Sequence, residues 1–357
     1  MKNLILGIET SCDDTSLALL EKLPNNQFKL LATRSFSQED LLKKFGGVIP
    51  EVAARNHLLK IQPLLLSLLA DTQAQITDIK MIGVSTLPGL LGPLMIGLNT
   101  AKNLALFLQI PIVPVNHLFA HLNAINLHEN IPYPFLGLLV SGGHSAYFLV
   151  EGPNQFTTLG STIDDAAGEA FDKGGKLLGL GYPAGHLIDF YAKSGDPHKF
   201  AFTIGLKDSK DCRLSFSGIK TSLRLFLEKH SDPIYHFDQN HPNPSQEFKD
   251  LCASYQKGIV DALILKLGFA DKKVGGKLPI VVGGGVASNS YLRKILQEKF
   301  PNGHFVKPEF CTDNGAMIAF SAFLNQEHAI HFPKCLDLDV QSRYFLKSDF
   351  IHVPINS

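Results

Sequence analysis

The chain has no tryptophan, four methionines and only five cysteines among 357 residues, and its charged side chains amount to 18%. The cysteines (Cys12, Cys212, Cys252, Cys311, Cys335) are odd in number and scattered, without a C-x-x-C pair. That excludes a disulfide framework and a cysteine zinc site, and it fits a reducing cytoplasm. Lysine plus arginine total 33 and aspartate plus glutamate 33, so net charge is zero and the whole molecule has no bulk attraction for nucleic acid. Any RNA partner needs a local basic patch. Several catalytic signatures are also missing. The stretch Gly179–Gly185 is not G-x-G-x-x-G, Gly174-Gly175-Lys176 lacks the P-loop spacing and its Ser or Thr, and no G-x-S-x-G elbow occurs. Dinucleotide dehydrogenases, P-loop enzymes and serine hydrolases are disfavoured accordingly.

A length of 357 residues at roughly 100 to 200 residues per domain implies two domains or a duplicated fold. The short apolar stretch between Lys2 and Glu9 is too brief for a signal peptide. From residue 81 to 150 only Lys102 and Glu129 carry charge. Pro88, Pro93, Pro111, Pro114, Pro132 and Pro134 cut that stretch into elements that suit a covered sheet and not a membrane span. Along the chain the apolar pattern predicts strands over 4–8, 16–20, 29–36 and 81–85, and helices over 50–69, 94–108, 245–267 and 314–324. Strands alternate with helices, which is an α/β architecture with a mixed sheet covered on both faces.

An internal echo sharpens this. Residues 7–21 (GIETSCDDTSLALLE) align without gaps on 137–151 (GLLVSGGHSAYFLVE), each a strand, a polar or glycine-rich turn and a second strand. A third glycine cluster, 283–285, ends an apolar strand before a helix starting near Asn289. Three such turns present backbone N–H groups in the manner that holds phosphates. The expected division is a first lobe over 1–130, a second with insertions over 131–345, and a tail over 346–357.

The sharpest chemical pattern is His117-Leu-Phe-Ala-His121. Two imidazoles at i and i+4 share one helix face and can grip one metal ion. The H-E-x-x-H protease motif fails because Leu118 stands where the general base belongs. Asp313, before the helix at 314–324, offers a further ligand, with Asn314 or Thr312 as the cap. The run Asp164 to Lys173 gathers four carboxylates at an expected helix start, where they complement the helix dipole. Asp172 lies two turns in and suits a ligand-facing role better.

Taken together, GIETSCDDT at 7–15, GGVIPEVAARNH at 46–57, His117-x-x-x-His121, LVSGGH at 139–144, IDDAAGEAFDK at 163–173, FSGIKT at 216–221, GGVASN at 284–289 and CTDNGAM at 311–317 resemble the TsaD family of tRNA adenosine threonylcarbamoyltransferases. The resemblance runs in order from about residue 4 to 320. It implies an actin-like ATPase (ASKHA) fold of two RNase H-like lobes around a nucleotide cleft. It also implies transfer of a threonylcarbamoyl group from threonylcarbamoyl-AMP to N6 of the adenosine 3′ to the anticodon, in tRNAs reading codons that begin with A. By residue-wise match, His117, His121 and Asp313 would hold one divalent metal, iron or alternatively zinc. Leu139, Val140, Ser141, Gly142, Gly143, Asp172, Gly185, Asp189 and Asn289 would contact the adenylate, and Asp13 would act as catalytic base. The implied partners are tRNA, a paralogous actin-fold subunit (TsaB) and a P-loop ATPase (TsaE). The chain departs from the family at Leu87, Asn116 and Gly174-Gly175. An actin-fold small-molecule kinase or regulatory ATPase without RNA is the alternative reading. Lys207, Lys210, Arg213, Lys220 and Arg224 form a candidate RNA-facing strip.

Overall fold

A computed structural model of the protein describes residues 2–238 and 243–343; the expected tail over 346–357 lies outside them. By contact the described chain divides into two units, one of residues 2–130, 151–156 and 312–343, the other of residues 131–150 and 157–311.

In the first unit, β1 (Leu4–Glu9), β2 (Thr15–Leu23), β3 (Gln27–Phe36), β4 (Ile79–Leu87) and β5 (Ile112–Asn116) form one sheet in the order β3-β2-β1-β4-β5. The β1–β2 and β2–β3 pairs are antiparallel, and β1–β4 and β4–β5 are parallel. All six residues of β1 are buried, as befits a central strand covered on both faces, whereas the edge strand β3 is half-exposed. Helices α1 (Glu39–Phe45), α2 (Pro50–Asp71), α3 (Leu91–Leu108) and α4 (His117–Asn123) follow in the same unit. Helix α2 buries a stripe at Ala53, His57, Ile61, Leu65 and Leu68, the spacing of one helical face. Among the described residues α3 alone has the length and apolarity to cross a membrane, yet it turns Leu94, Gly97, Leu98, Ala101 and Ala105 into the core.

In the second unit the sheet is formed by β6 (Phe135–Val140), β7 (Ser145–Gly152), β8 (Gln155–Ser161), β9 (Ile280–Gly283) and β10 (Gly303–Phe305), in the order β8-β7-β6-β9-β10. It repeats the first topology strand for strand. The repeat extends to register: Ile5 pairs with Leu20 and Gly7 with Ala18, while Phe135 pairs with Val150 and Gly137 with Phe148, each at an offset of 130 residues. The echo at 7–21 and 137–151 is therefore a structural duplication. The helices are α5 (Ala167–Leu177), α6 (Gly185–Ala192), α7 (Ser217–Lys229), α8 (Gln246–Lys273), α9 (Ser290–Lys299) and α10 (Pro308–Cys311). The last helix, α11 (Gly315–Leu324), packs on β1, β2 and β4 of the first sheet. The chain thus rejoins the first unit from Thr312 onward, where the division by sequence runs the second lobe on to residue 345.

One local expectation is corrected. Helix α5 starts at Ala167, so Asp164 and Asp165 precede it and serve no dipole. Asp164 instead accepts from Phe216 N (2.7 Å), Ser217 N (3.3 Å), Ser215 Oγ (2.5 Å) and Ser217 Oγ (2.8 Å). Asp165 binds Lys173 (2.7 Å) and Lys220 (2.9 Å). Partial burial works against their ionisation, but these donors hold both carboxyls below their usual range. The two aspartates staple the start of α5 to the FSGIKT segment.

Candidate metal centre and ligand-binding turns

Strand β5 ends at Asn116, whose Oδ1 accepts from Leu118 N (2.9 Å) and Phe119 N (3.4 Å) and so turns the chain into α4. An N-cap is what asparagine does well, which accounts for its presence beside His117. Helical spacing then sets the His117 and His121 rings 4.6 Å apart and nearly perpendicular, with Nε2 to Nε2 at 3.2 Å. Asn314 caps α11 through Met317 N (2.9 Å), leaving Asp313 just outside the helix. Its Oδ1 lies 3.1 Å from His121 Nε2 and 3.5 Å from His117 Nε2. The three ligand atoms fall within 4.8 Å of one another, so the residues expected to hold a metal converge on one point.

Their chemistry fits a divalent cation. Both histidines are buried, at 6% and 1% exposure, and two imidazole nitrogens face a carboxylate oxygen. Burial opposes a charge on His117, but the Glu9 and Asp313 carboxylates outweigh it and raise its pKa to about 9. A field that holds a proton there also favours a metal cation at Nε2. The two imidazoles differ in support, because His117 Nδ1 lies 2.9 Å from Glu9 Oε2 while the buried His121 Nδ1 has no hydrogen-bond partner among the described residues.

The turn between β1 and β2 carries Cys12, Asp13 and Asp14. Asp13 and Asp313 both act electrostatically on Cys12 and Asp14, which puts the expected base in the same acidic neighbourhood as the metal ligands. Burial first, then the charges of Asp13 and Asp313, push Asp14 up to about 7. Sequence reasoning missed Asp14 and Glu9. The available signals were the paired aspartates in a tight turn and a glutamate closing an otherwise apolar strand.

This turn is pinned by His57 of α2. The imidazole is wholly buried between Thr15 Oγ1 (2.7 Å) and Cys12 O (3.1 Å), and burial lowers its pKa. Below pH ~6.5, the ordinary histidine value, the unfolded chain takes up a proton that folded His57 refuses. Stability therefore falls as pH drops from there toward the folded pKa. Denaturant titrations between pH 7.5 and 5 are expected to show a shallower decline in His57→Gln than in the unaltered protein; equal slopes would refute this.

The second unit gathers the other expected ligand residues. At the β6–β7 turn, Ser141 N donates to His144 O (2.8 Å) and His144 N to Ser141 Oγ (3.1 Å). Gly142 and Gly143 are exposed at its tip, with nothing within 4 Å of a built Cβ. Helix α5 abuts the turn through Gly168 N to Ser141 O (3.2 Å), and Gly284, at φ +91°, lies where a Cβ would be 2.4 Å from Val140 O. Leu139 and Val140 are fully buried strand residues, so any contact with a ligand is through their backbone. Asp172 Oδ1 accepts from Ala184 N (2.8 Å) and Gly185 N (3.3 Å), tying α5 to the start of α6. Asp189 accepts from Ser290 Oγ (2.8 Å) and Ser290 N (3.2 Å), and Asn289 caps α9 through Leu292 N (2.9 Å) while donating to Gln256 Oε1 (2.7 Å). Gly174 and Gly175 take the chain close under Tyr255 and Ala184, where Cβ atoms would come within 2.3 and 2.0 Å. Of the basic strip, Arg213 pairs with Asp211, Lys220 with Asp165 and Arg224 with Glu228, whereas Lys207 and Lys210 are exposed.

Residues 29–320 match the family described as TsaD, tRNA N6-adenosine threonylcarbamoyltransferase. A tRNA N6-adenosine threonylcarbamoyltransferase of Kosmotoga olearia is 42% identical over 334 residues, covering 92% of this chain and 95% of the relative. One of Syntrophus aciditrophicus is 43% identical over 321 residues, covering 88% and 90%. Among solved structures, the activator of 2-hydroxyisocaproyl-CoA dehydratase from Clostridium difficile, with bound ADPNP, superposes with a TM-score of 0.52 at 14% identity over 91% of this chain and 95% of that one. That likeness, with the duplicated sheet order, makes the fold an actin-like ATPase fold. Matched by the family description over most of its length and by relatives above 40% identity almost end to end, the chain belongs to the tRNA N6-adenosine threonylcarbamoyltransferase family.

Proposed function

We propose that the chain transfers a threonylcarbamoyl group to N6 of an adenosine in tRNA, with threonylcarbamoyl-AMP as donor and AMP as leaving group, at the adenosine 3′ to the anticodon in tRNAs reading codons that begin with A. The observation that carries this reading is the near full-length identity to relatives of that name. An exocyclic adenine amine is a weak nucleophile because its lone pair is delocalised into the ring, so the acyl donor must arrive activated. The N6 lone pair attacks the donor's carbamoyl carbon, the bond from that carbon to the phosphate oxygen breaks, and N6 gives up a proton. Asp13 takes that proton. Backbone N–H groups of Gly142 and Gly143 receive donor oxygens, and Ser141, Asp172, Gly185, Asp189 and Asn289 shape the adenylate site around them. His117, His121 and Asp313 hold one metal, for which iron is the proposed identity and zinc the alternative. When bound, it supplies a Lewis acid and a template for the donor's oxygens. No enzyme nucleophile is needed.

As partners we propose tRNA as substrate, a TsaB-type paralogue in a heterodimer and a TsaE-type ATPase, all in the cytoplasm. Leu58, Leu59 and Leu66 on α2 and Phe107 on α3 are each at least 60% exposed, apolar surface that supports a partner on this unit. With zero net charge and three of five strip residues ion-paired, the chain alone holds tRNA weakly. The test is mass spectrometry of tRNA nucleosides from cells depleted of the protein. Threonylcarbamoyladenosine is expected to disappear, to return with the unaltered gene and not with Asp13→Asn; an unchanged level on depletion would sink the reading.

A further inference from the structure

Glu9 ends β1 and is completely buried, a carboxylate in a core strand with no lysine or arginine beside it among the described residues. Such a group needs specific partners. Its two oxygens have different ones. Oε1 accepts from Ser11 N (2.5 Å) and Ser85 Oγ (3.3 Å), while Oε2 lies 2.9 Å from His117 Nδ1, with Ser11 Oγ 3.1 Å from the same nitrogen. At 2.9 Å a carboxylate oxygen is placed to accept the Nδ1–H of His117. With Nδ1 engaged by Glu9, the nitrogen left for a metal, once its own proton is displaced, is Nε2, the atom that faces His121 and Asp313.

We propose that Glu9 is the positioning residue of the metal centre: by holding the Nδ1 proton of His117 it fixes the tautomer and ring orientation that present Nε2 to the metal. His121 has no equivalent clamp, since among the described residues its buried Nδ1 has no hydrogen-bond partner. A metal on His121 Nε2 leaves a proton on Nδ1 without an acceptor. His117 is therefore the preset ligand and His121 the costlier one. The inference rests on the metal reading of His117, His121 and Asp313, and not on the transferase reading, so it is tested with Zn(II) alone.

Glu9→Gln separates positioning from mere filling. With Oε1 already committed to Ser11 N–H, the amide nitrogen must occupy the Oε2 place and donate to His117 Nδ1. That forces the proton to Nε2 and removes the lone pair from the metal. Competition against a chromogenic chelator is expected to show Zn(II) affinity reduced ~10- to 100-fold, the usual cost of losing an outer partner of a ligating histidine, in a variant that still shows a cooperative thermal transition. Unaltered Zn(II) affinity in a folded variant would overturn the proposal. A second measurement needs no variant: in the Zn(II)-loaded, ¹⁵N-histidine-labelled protein, His117 is expected to show a protonated, slowly exchanging Nδ1 and a metal-bound Nε2. Metal on Nδ1 would equally overturn it, whatever becomes of Glu9→Gln.

Discussion

Asp313→Ala is expected to lower Zn(II) affinity by more than the ~100-fold that outer-shell partners cost at most, and threonylcarbamoyl transfer with it. Asp313 is the anionic member of the set, and without its Oδ1 that set, among the described residues, is reduced to two imidazole nitrogens. Two neutral ligands 3.2 Å apart on one short helix hold a divalent ion far less well than the same pair closed by a carboxylate. The fold should survive, because Asp313 is partly exposed and the cap of α11 is Asn314. Asn314→Ala is the matched control: losing the cap costs about 1 kcal/mol of stability and should leave metal affinity nearly intact. Equilibrium chelator competition and single-turnover transfer from preformed threonylcarbamoyl-AMP would be measured on both variants. If Asp313→Ala bound Zn(II) like the unaltered protein, the three residues would not be a metal centre.

What was legible in the sequence was what local periodicity encodes. From β1 to α3 the strands and the two long helices follow from apolar spacing, while the short α1 was missed, and the duplication showed as a gapless echo because the two hairpins kept the same register. The His117–His121 pair was legible because a helix places i and i+4 on one face. Asp313 was legible only as a carboxylate standing just before an apolar helix; the resemblance tied it to the histidines, since nothing local to residue 313 reports on a helix 192 residues earlier. Asp164 and Asp165 show the converse failure. Their composition reads as a helix start, but apart from Lys173 the partners that hold them are 51 to 55 residues downstream. Glu9 and Asp14 carry no periodic signal at all. Their roles arise from what β4, α4 and the β1–β2 turn bring against them.

Gly7→Ala is expected to be the most damaging single-methyl change in the first unit. Gly7 pairs with Gly83 across the parallel β1–β4 ladder, and both lie under α11. A Cβ at Gly7 would sit 2.2 Å from Gly315 O and 2.4 Å from Ala319 N, and one at Gly83 would sit 2.5 Å from Ala322 Cβ. From the other side, a Cβ on Gly315 would be 2.5 Å from the backbone of Leu17. Helix and sheet therefore touch through backbone and small residues, and no flexible side chain is there to yield. Backbone must move, at the upper end of the ~1–3 kcal/mol for overpacking or beyond it; at ~2–4 °C per kcal/mol this lowers Tm by roughly 6–12 °C. The movement has a chemical consequence as well. Helix α11 follows Asp313 directly and contacts α4, so lifting it off the sheet draws the carboxylate away from His117 and His121. Gly7→Ala should thus lose both stability and Zn(II) affinity, whereas Gly142→Ala, with open space around its Cβ, should keep both. A Gly7→Ala protein with unchanged Tm and metal affinity would mean that α11 does not rest on β1 as closely as these distances state.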